Sequence, residues 1–229
     1  MSRSNKGRLT SDSNEWATPA DVFGPLSKEF DFVLDCAAAG WNHKAGAYYT
    51  KEDDALTRDW YADARALSLG DGLDEDETGG YRGTVARTYA PDSPAAWLNP
   101  PYGRKKDAEG KSTGPALLDP FIRKAFQESR KGLIVVVLCF VRSDTALWEE
   151  VIMKAAEVRF IRSRVRFTRA DGAKGPAPAS SCLVIFKPGE KGPPVFTVWH
   201  REGCTCSQCK RKAENERAIA KPVRPRDTE

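Results

Sequence analysis

Two stretches of the chain are apolar at every position, Leu133 to Phe140 (LIVVVLCF) and Cys182 to Phe186 (CLVIF). A strand with one wet face alternates, so unbroken apolar runs of this length predict strands covered on both sides. Shorter runs predict further strands at Phe30 to Cys36, Ala47 to Thr50, Ala95 to Leu98, Val158 to Ile161, Val165 to Phe167 and Val195 to Trp199. Between them the spacing changes to three and four. Val22, Phe23 and Leu26 mark one helical face, and Phe121, Ile122, Ala125 and Phe126 mark another, over roughly Pro120 to Ser129. Thr18 followed by Pro19, and Asp119 followed by Pro120, read as N-caps with a first-turn proline. Ser143 or Asp144 caps a third helix reaching about Ala155. Strands and helices in alternation predict an α/β fold built on a mostly parallel central sheet with flanking helices.

The pattern breaks in five places. Met1 to Asn14 is polar and Ser-rich and is expected to be a disordered arm. Asp71 to Asp92 is rich in Gly, Asp and Glu and is expected to be a long surface insertion. Gly103 to Gly114 reads as a flexible, net-basic loop, and Ala170 to Ser180 as a Gly/Pro/Ala loop. Pro188 to Pro194 reads as a linker, so one domain is expected over residues 15–187, with a linker and a Cys-rich basic tail over 188–229.

Composition narrows the partners only slightly. The 229 residues carry a net charge of +4 at pH 7 and a pI near 8.7, which permits nucleic-acid binding without requiring it. There is no apolar run long enough to span a bilayer and no signal peptide, so a cytoplasmic protein is expected. Oligomeric state is not readable. Cys36, Cys139 and Cys182 sit singly in apolar surroundings and read as core thiols. His200, Cys204, Cys206 and Cys209 are bunched. They leave two readings open: a tetrahedral Zn²⁺ site, structural or DNA-contacting, or exposed thiols in a mobile tail. The single residue between Cys204 and Cys206 is tighter than usual knuckle spacing. No metal is assigned to catalysis.

The chemistry centres on Asn99-Pro100-Pro101-Tyr102, directly after the Ala95 to Leu98 run. Two prolines remove backbone donors and fix φ, so the strand stops at Asn99. A side-chain amide and an aromatic ring are left on a stiff loop at a strand end, where open α/β sheets bind ligands. Asp35 ends another strand and is followed by the small residues Cys36, Ala37, Ala38 and Ala39, which allow close backbone approach. The glycine-rich fingerprint is absent. Asp53 or Asp54, then Asp59 with Trp60, offer carboxylates for ribose hydroxyls or an adenine amino group and a ring to stack on a purine. Each is equally compatible with a solvated acidic turn.

The ordered set is Trp16-Ala17-Thr18-Pro19, a strand ending in Asp35, Asp59-Trp60 and Asn99-Pro100-Pro101-Tyr102, followed by the Gly132 to Leu138 strand and Arg164-Val-Arg-Phe167. It resembles the S-adenosylmethionine-dependent N6-adenine DNA methyltransferases, and among them the phage-type Dam family, over roughly Glu15 to Lys187. The resemblance implies a Rossmann-like class I methyltransferase fold, S-adenosylmethionine as cofactor and double-stranded DNA with a flipped adenine as substrate. It places Trp16, Thr18 and Pro19 at the methionine end of the cofactor and Asp35, with Cys36 and Ala37, near its amino group. It places Asp54 at the ribose, Asp59 at the adenine amino group and Trp60 beside that ring. Asn99 and the Pro100 carbonyl would accept both N–H groups of the target amine, freeing its lone pair, and Tyr102 would stack on the base. Pro101 completes the stiff motif.

Two other readings stand beside this one. Asn-Pro-Pro-Tyr also suits methyl transfer to a protein glutamine or an RNA base, whose nitrogens are equally delocalised. A non-catalytic, zinc-containing nucleic-acid-binding protein would treat Asn99 to Tyr102 as a plain turn.

Overall fold

The computed structural model describes residues 16–69, 93–106 and 111–211. The expected N-terminal arm and the insertion at Asp71 to Asp92 lie outside the described residues, as does the tail from residue 212. The chain begins with α1 (Ala20–Phe30), β1 (Leu34–Asp35) and β2 (Ala47–Tyr48). A 3-10 turn over Ala55–Thr57 leads into α2 (Trp60–Leu69). Next come β3 (Ala95–Leu98), β4 (Arg104–Lys106), β5 (Ser112–Ala116), α3 (Leu118–Ser129) and β6 (Ile134–Phe140). The remainder is α4 (Ala146–Glu150), a 3-10 turn over Ile152–Lys154, β7 (Glu157–Ile161), β8 (Arg166–Thr168), β9 (Lys174–Pro176), β10 (Ser181–Phe186) and β11 (Val195–Trp199).

Period-two alternation explains why the central strands are apolar throughout. Val135, Val137 and Cys139 of β6 face one core, while Val136 and Leu138 face the other. β10 divides the same way, with Cys182, Val184 and Phe186 against Leu183 and Ile185. On one side α2, α3 and α4 contribute Trp60, Ala64, Phe121, Ile122, Ala125, Leu147 and Trp148. On the other, Val22 and Leu26 of α1 pack with Phe32, Trp97, Val165 and Phe167. The result is a seven-stranded sheet in the order β11-β7-β10-β6-β3-β1-β2. It is parallel except for β10, which runs antiparallel to both β6 and β7. This is the expected Rossmann-like architecture.

The structure revises several boundaries. α1 has Pro19, not Thr18, at its N-cap position, and no side chain caps it. α4 is capped by Thr145, whose hydroxyl accepts the Trp148 N–H at 3.4 Å, rather than by Ser143 or Asp144. It is also short, passing at Val151 into the 3-10 turn. The basic loop expected at Gly103 to Gly114 contains the β4–β5 hairpin, and the Ala170 to Ser180 loop contains β9, paired with β8. β11 pairs along β7 from Val195 to Trp199, so the sheet continues past Lys187.

One buried carboxylate joins the helices. Glu128 of α3, 1% exposed, accepts the Tyr61 N–H at 3.0 Å in the first turn of α2. It also accepts Lys124 Nζ at 2.9 Å and Lys131 Nζ at 3.0 Å. Gly132 follows at φ +128°, where a Cβ would stand 2.8 Å from the Tyr61 ring, so both backbone and space require glycine.

Candidate active site

β1 and β3 are adjacent and parallel, with Asp35 in register with Trp97. From this pair the sheet extends to β2 on one side and to β6 on the other. The strand order therefore reverses between β1 and β3, and sheets of this kind bind ligands beyond the carboxyl ends of the strands at such a point. Asp35 is the last residue of β1, and Asn99 follows the last residue of β3. The Cys36 N–H, donating to Trp97 O at 2.8 Å, holds the two ends together.

Asp35 is 2% exposed. Its carboxylate accepts the Ala37 N–H at 3.3 Å and the Lys44 N–H at 2.9 Å. Burial raises its pKa from 3.8 to about 7, against the opposing pull of those two amides and of the Lys44 charge. A carboxylate has lone pairs to spare after two bonds, so Asp35 can accept from a cationic donor, which would also restore its charge.

Asn99 is held from the N-terminal segment. Its Nδ2 donates to Trp16 O at 2.9 Å. A carbonyl only accepts, so this bond fixes which way the amide points and turns Oδ1 away. Oδ1 is buried and has no partner. Thr18 Oγ1 and Ser181 Oγ are in the same condition, and these are the buried side-chain N and O atoms so left among the described residues. Leaving such an atom unpaired costs about 1–3 kcal/mol, so each of the three is a candidate to meet a ligand. All three lie toward the carboxyl edge of the sheet. Thr18 lies two residues from Trp16, and Ala17 is bridged to Thr168 of β8 by bonds of 2.8 and 3.2 Å. Ser181 opens β10 opposite Phe140, the last residue of β6.

Tyr102 is locked beside them. Its hydroxyl donates to Leu138 O at 2.9 Å, and its ring stacks on Phe140 with centroids 4.2 Å apart. Burial pushes its phenol well above the usual value, so it stays protonated. Pro100 is buried and Pro101 half-buried.

The structure thus brings Trp16, Thr18, Asp35, Cys36, Asn99 and the two prolines to one edge, with Pro19 at the start of α1 and Ala37 bonded to Asp35. Asp54 is exposed on the loop after β2, at φ +44°. Asp53 is engaged with the Thr50 N–H and hydroxyl, both at 2.8 Å. Asp59 and Trp60 are placed otherwise than the sequence reading expected. Asp59 accepts the Ala62 N–H at 3.1 Å as a cap for α2 and pairs with Lys131 at 3.0 Å. Trp60 is 0% exposed, donates Nε1–H to Ala55 O at 2.7 Å and packs near Phe121, so its ring belongs to the core. Sequence reasoning missed Lys44, whose amide holds Asp35, and Ser181. For Ser181 the only signal was a hydroxyl at the head of an apolar run.

A basic strip adjoins this edge. Arg162, Arg164, Arg166 and Lys174 are exposed on and around the β8–β9 hairpin. The Arg169 guanidinium lies 5.9 Å from the centre of the Trp16 ring. The hairpin bonded to the Trp16–Ala17 segment therefore carries positive charge to the rim.

Comparison with known proteins adds three findings. Residues 6–68 and 86–208 match the model of the DNA N-6-adenine-methyltransferase (Dam) family. A stretch of 48 residues is 46% identical to the Escherichia coli (strain K12) protein described as "Putative methyltransferase YfdM". That match takes in 20% of this chain and 53% of the relative, so the chain spans about half the length of the curated relative it matches. A Listeria monocytogenes crystal structure described as a "putative class i s-adenosylmethionine-dependent methyltransferase" aligns over 91% of this chain and 72% of its own, at 15% identity and a TM-score of 0.43.

Proposed function

The chain belongs to the DNA N-6-adenine-methyltransferase (Dam) family, and from that premise we propose that it transfers a methyl group to the N6 amino group of adenine in DNA. Membership makes the chain a methyltransferase and implies S-adenosylmethionine as its cofactor. The residues present fit that group: a buried carboxylate with spare acceptor capacity at Asp35 and an orphan hydroxyl at Thr18 suit its amino-acid end. When bound, it supplies an electrophilic methyl carbon on a sulfonium. In this reading Asp35 takes the ammonium, with Trp16, Thr18 and Pro19 beside it. Cys36 and Ala37 allow close approach of the backbone, and Asp54 serves the ribose. Asp59 and Trp60 take no part.

The adenine amine is a weak nucleophile because its lone pair is delocalised into the ring. Asn99 Oδ1 accepts one of its N–H groups and the Pro100 carbonyl accepts the other, which favours a pyramidal nitrogen. The Trp16 carbonyl keeps the Asn99 amide from turning, so its acceptor is in place before the base arrives. Tyr102, steadied by Phe140 and Leu138, offers its ring to the base. The pyramidal nitrogen would take the methyl carbon with its freed lone pair, and the N–H proton it gives up would pass from the Asn99 and Pro100 acceptors to solvent. No covalent enzyme intermediate is involved. A target adenine in duplex DNA must leave the stack to reach Asn99, and the exposed arginines around the β8–β9 hairpin meet the phosphates.

The observation that carries this reading is the buried, unpartnered Oδ1 of Asn99 at a strand end beside Asp35. The test is incubation with methyl-labelled S-adenosylmethionine and unmethylated DNA, followed by nucleoside analysis. Label in N6-methyladenine is expected. Label found only in RNA or in protein overturns the choice of substrate.

A further inference from the structure

After β11 the chain doubles back twice. In the first turn the Cys204 N–H donates to Arg201 O at 3.2 Å, with Gly203 at φ +70°. Residues 207–211 then form a helical turn, in which the Lys210 N–H donates to Cys206 O at 2.9 Å. The two turns carry three thiols onto one imidazole. Cys204, Cys206 and Cys209 place Sγ at 3.6, 3.4 and 3.2 Å from His200 Nδ1. The four ligand atoms all lie within 4.8 Å of one another. His200 and the three cysteines are half-buried, whereas Thr205, Ser207 and Gln208 between them are exposed.

Hydrogen bonding does not account for this arrangement. A ring nitrogen has one site, as donor or as acceptor, and cannot bond three sulfurs. A metal does account for it. With Zn–S about 2.3 Å and Zn–N about 2.0–2.1 Å, a tetrahedral ion sets each N···S edge at about 3.6 Å. The observed separations of 3.6, 3.4 and 3.2 Å approach that value.

We propose that His200 Nδ1, Cys204, Cys206 and Cys209 form a structural Zn²⁺ site. Four protein ligands complete the tetrahedron, so no position remains for water or substrate. Binding takes the cysteines as thiolates and releases their protons. The site braces a knuckle that is already docked on α1. The Glu202 N–H donates to Asp21 O at 3.1 Å, and Arg201 pairs with the Asp21 carboxylate at 2.8 Å. Asp21 lies two residues beyond Pro19, so the ion fastens the C-terminal segment to the start of the helix that follows Thr18.

The test uses the full chain produced without an affinity tag, supplied with zinc chloride under reducing conditions and then dialysed against metal-free buffer. Elemental analysis should give about one zinc per chain. Cys206→Ser with Cys209→Ser should lose it, and Ser207→Ala should keep it. Substitution with cobalt(II) should add a thiolate-to-metal absorption that the double variant lacks, a signature of ligation that lost folding alone does not reproduce in the wild type. Wild-type protein that is folded by circular dichroism yet retains no stoichiometric zinc and gives no cobalt–thiolate band overturns the proposal. Full zinc retention by the double variant does the same.

Discussion

Asn99 and Trp16 lie 83 positions apart in the chain, and the side-chain nitrogen of the first donates to the backbone carbonyl of the second at 2.9 Å. The bond turns a freely rotating amide into a fixed acceptor. It also couples the N-terminal segment, and through Ala17 the β8–β9 hairpin, to the loop expected to hold the target amine.

Asn99→Ala removes both the acceptor and the tie. Methyl transfer should fall by about 100-fold or more, the usual loss when a preorganised group at the reacting centre is deleted. Cofactor binding, proposed to rest on Asp35 and Thr18, should persist. Turnover is read with labelled donor and DNA, and affinity by titration calorimetry. Near-normal turnover would remove Asn99 from the chemistry.

Asp35 makes stability depend on pH in an unusual direction. Its pKa is raised from 3.8 to about 7 in the folded state, mainly by burial, so the fold prefers the neutral form. Between about pH 4 and 7 the folded state binds more protons than the unfolded one. The Asp35 contribution to stability therefore falls as pH rises through that window and levels off above it. A shift of this size corresponds to at most about 4 kcal/mol. Asp35→Asn should flatten the wild-type slope between about pH 4 and 7 in urea unfolding, and weaken S-adenosylmethionine binding. Parallel pH profiles for wild type and variant would show that Asp35 is not the source.

Thr18→Val keeps the shape of the side chain and deletes a buried hydroxyl that has no partner. The ligand-free protein should gain about 1 kcal/mol, while affinity for S-adenosylmethionine drops. Thermal unfolding with and without the cofactor separates the two effects. A loss of stability with unchanged affinity would mean that the hydroxyl serves the fold.

What the sequence made legible follows from range. Strand and helix periods are local, and they located β3, β6, β7, β10 and α3 to within a few residues. The Asp35 and Asn99 strand ends were readable for the same reason. Partnership was not. Thr18 looks like a cap, but α1 begins one residue later than that reading needs, which leaves its hydroxyl without a partner. Asp59 and Trp60 offered a carboxylate and a ring in the right order. The neglected signal was Trp60, Ala64 and Leu67, a helical stripe that carries the indole into the core and leaves Asp59 as the cap. β4, β5 and β9 lie in stretches rich in Gly, Lys and Pro, so composition marked them as loops although their backbones pair.

Glu128 offers a test of the fold independent of the candidate site. It is a buried carboxylate that receives Lys124, Lys131 and the Tyr61 N–H, tying α3 to the first turn of α2. Lys124 is itself largely buried, with a side chain 14% exposed. Removing one partner of a buried pair leaves an uncompensated charge, so Glu128→Ala should cost about 3–5 kcal/mol. Lys131 is 42% exposed, and its loss should cost no more than about 1 kcal/mol. Glu128→Gln retains an acceptor and should fall between the two. Urea denaturation of the three variants gives the order directly. Equal costs for Glu128→Ala and Lys131→Ala would show that the network behaves as a surface cluster and does not hold the two helices together.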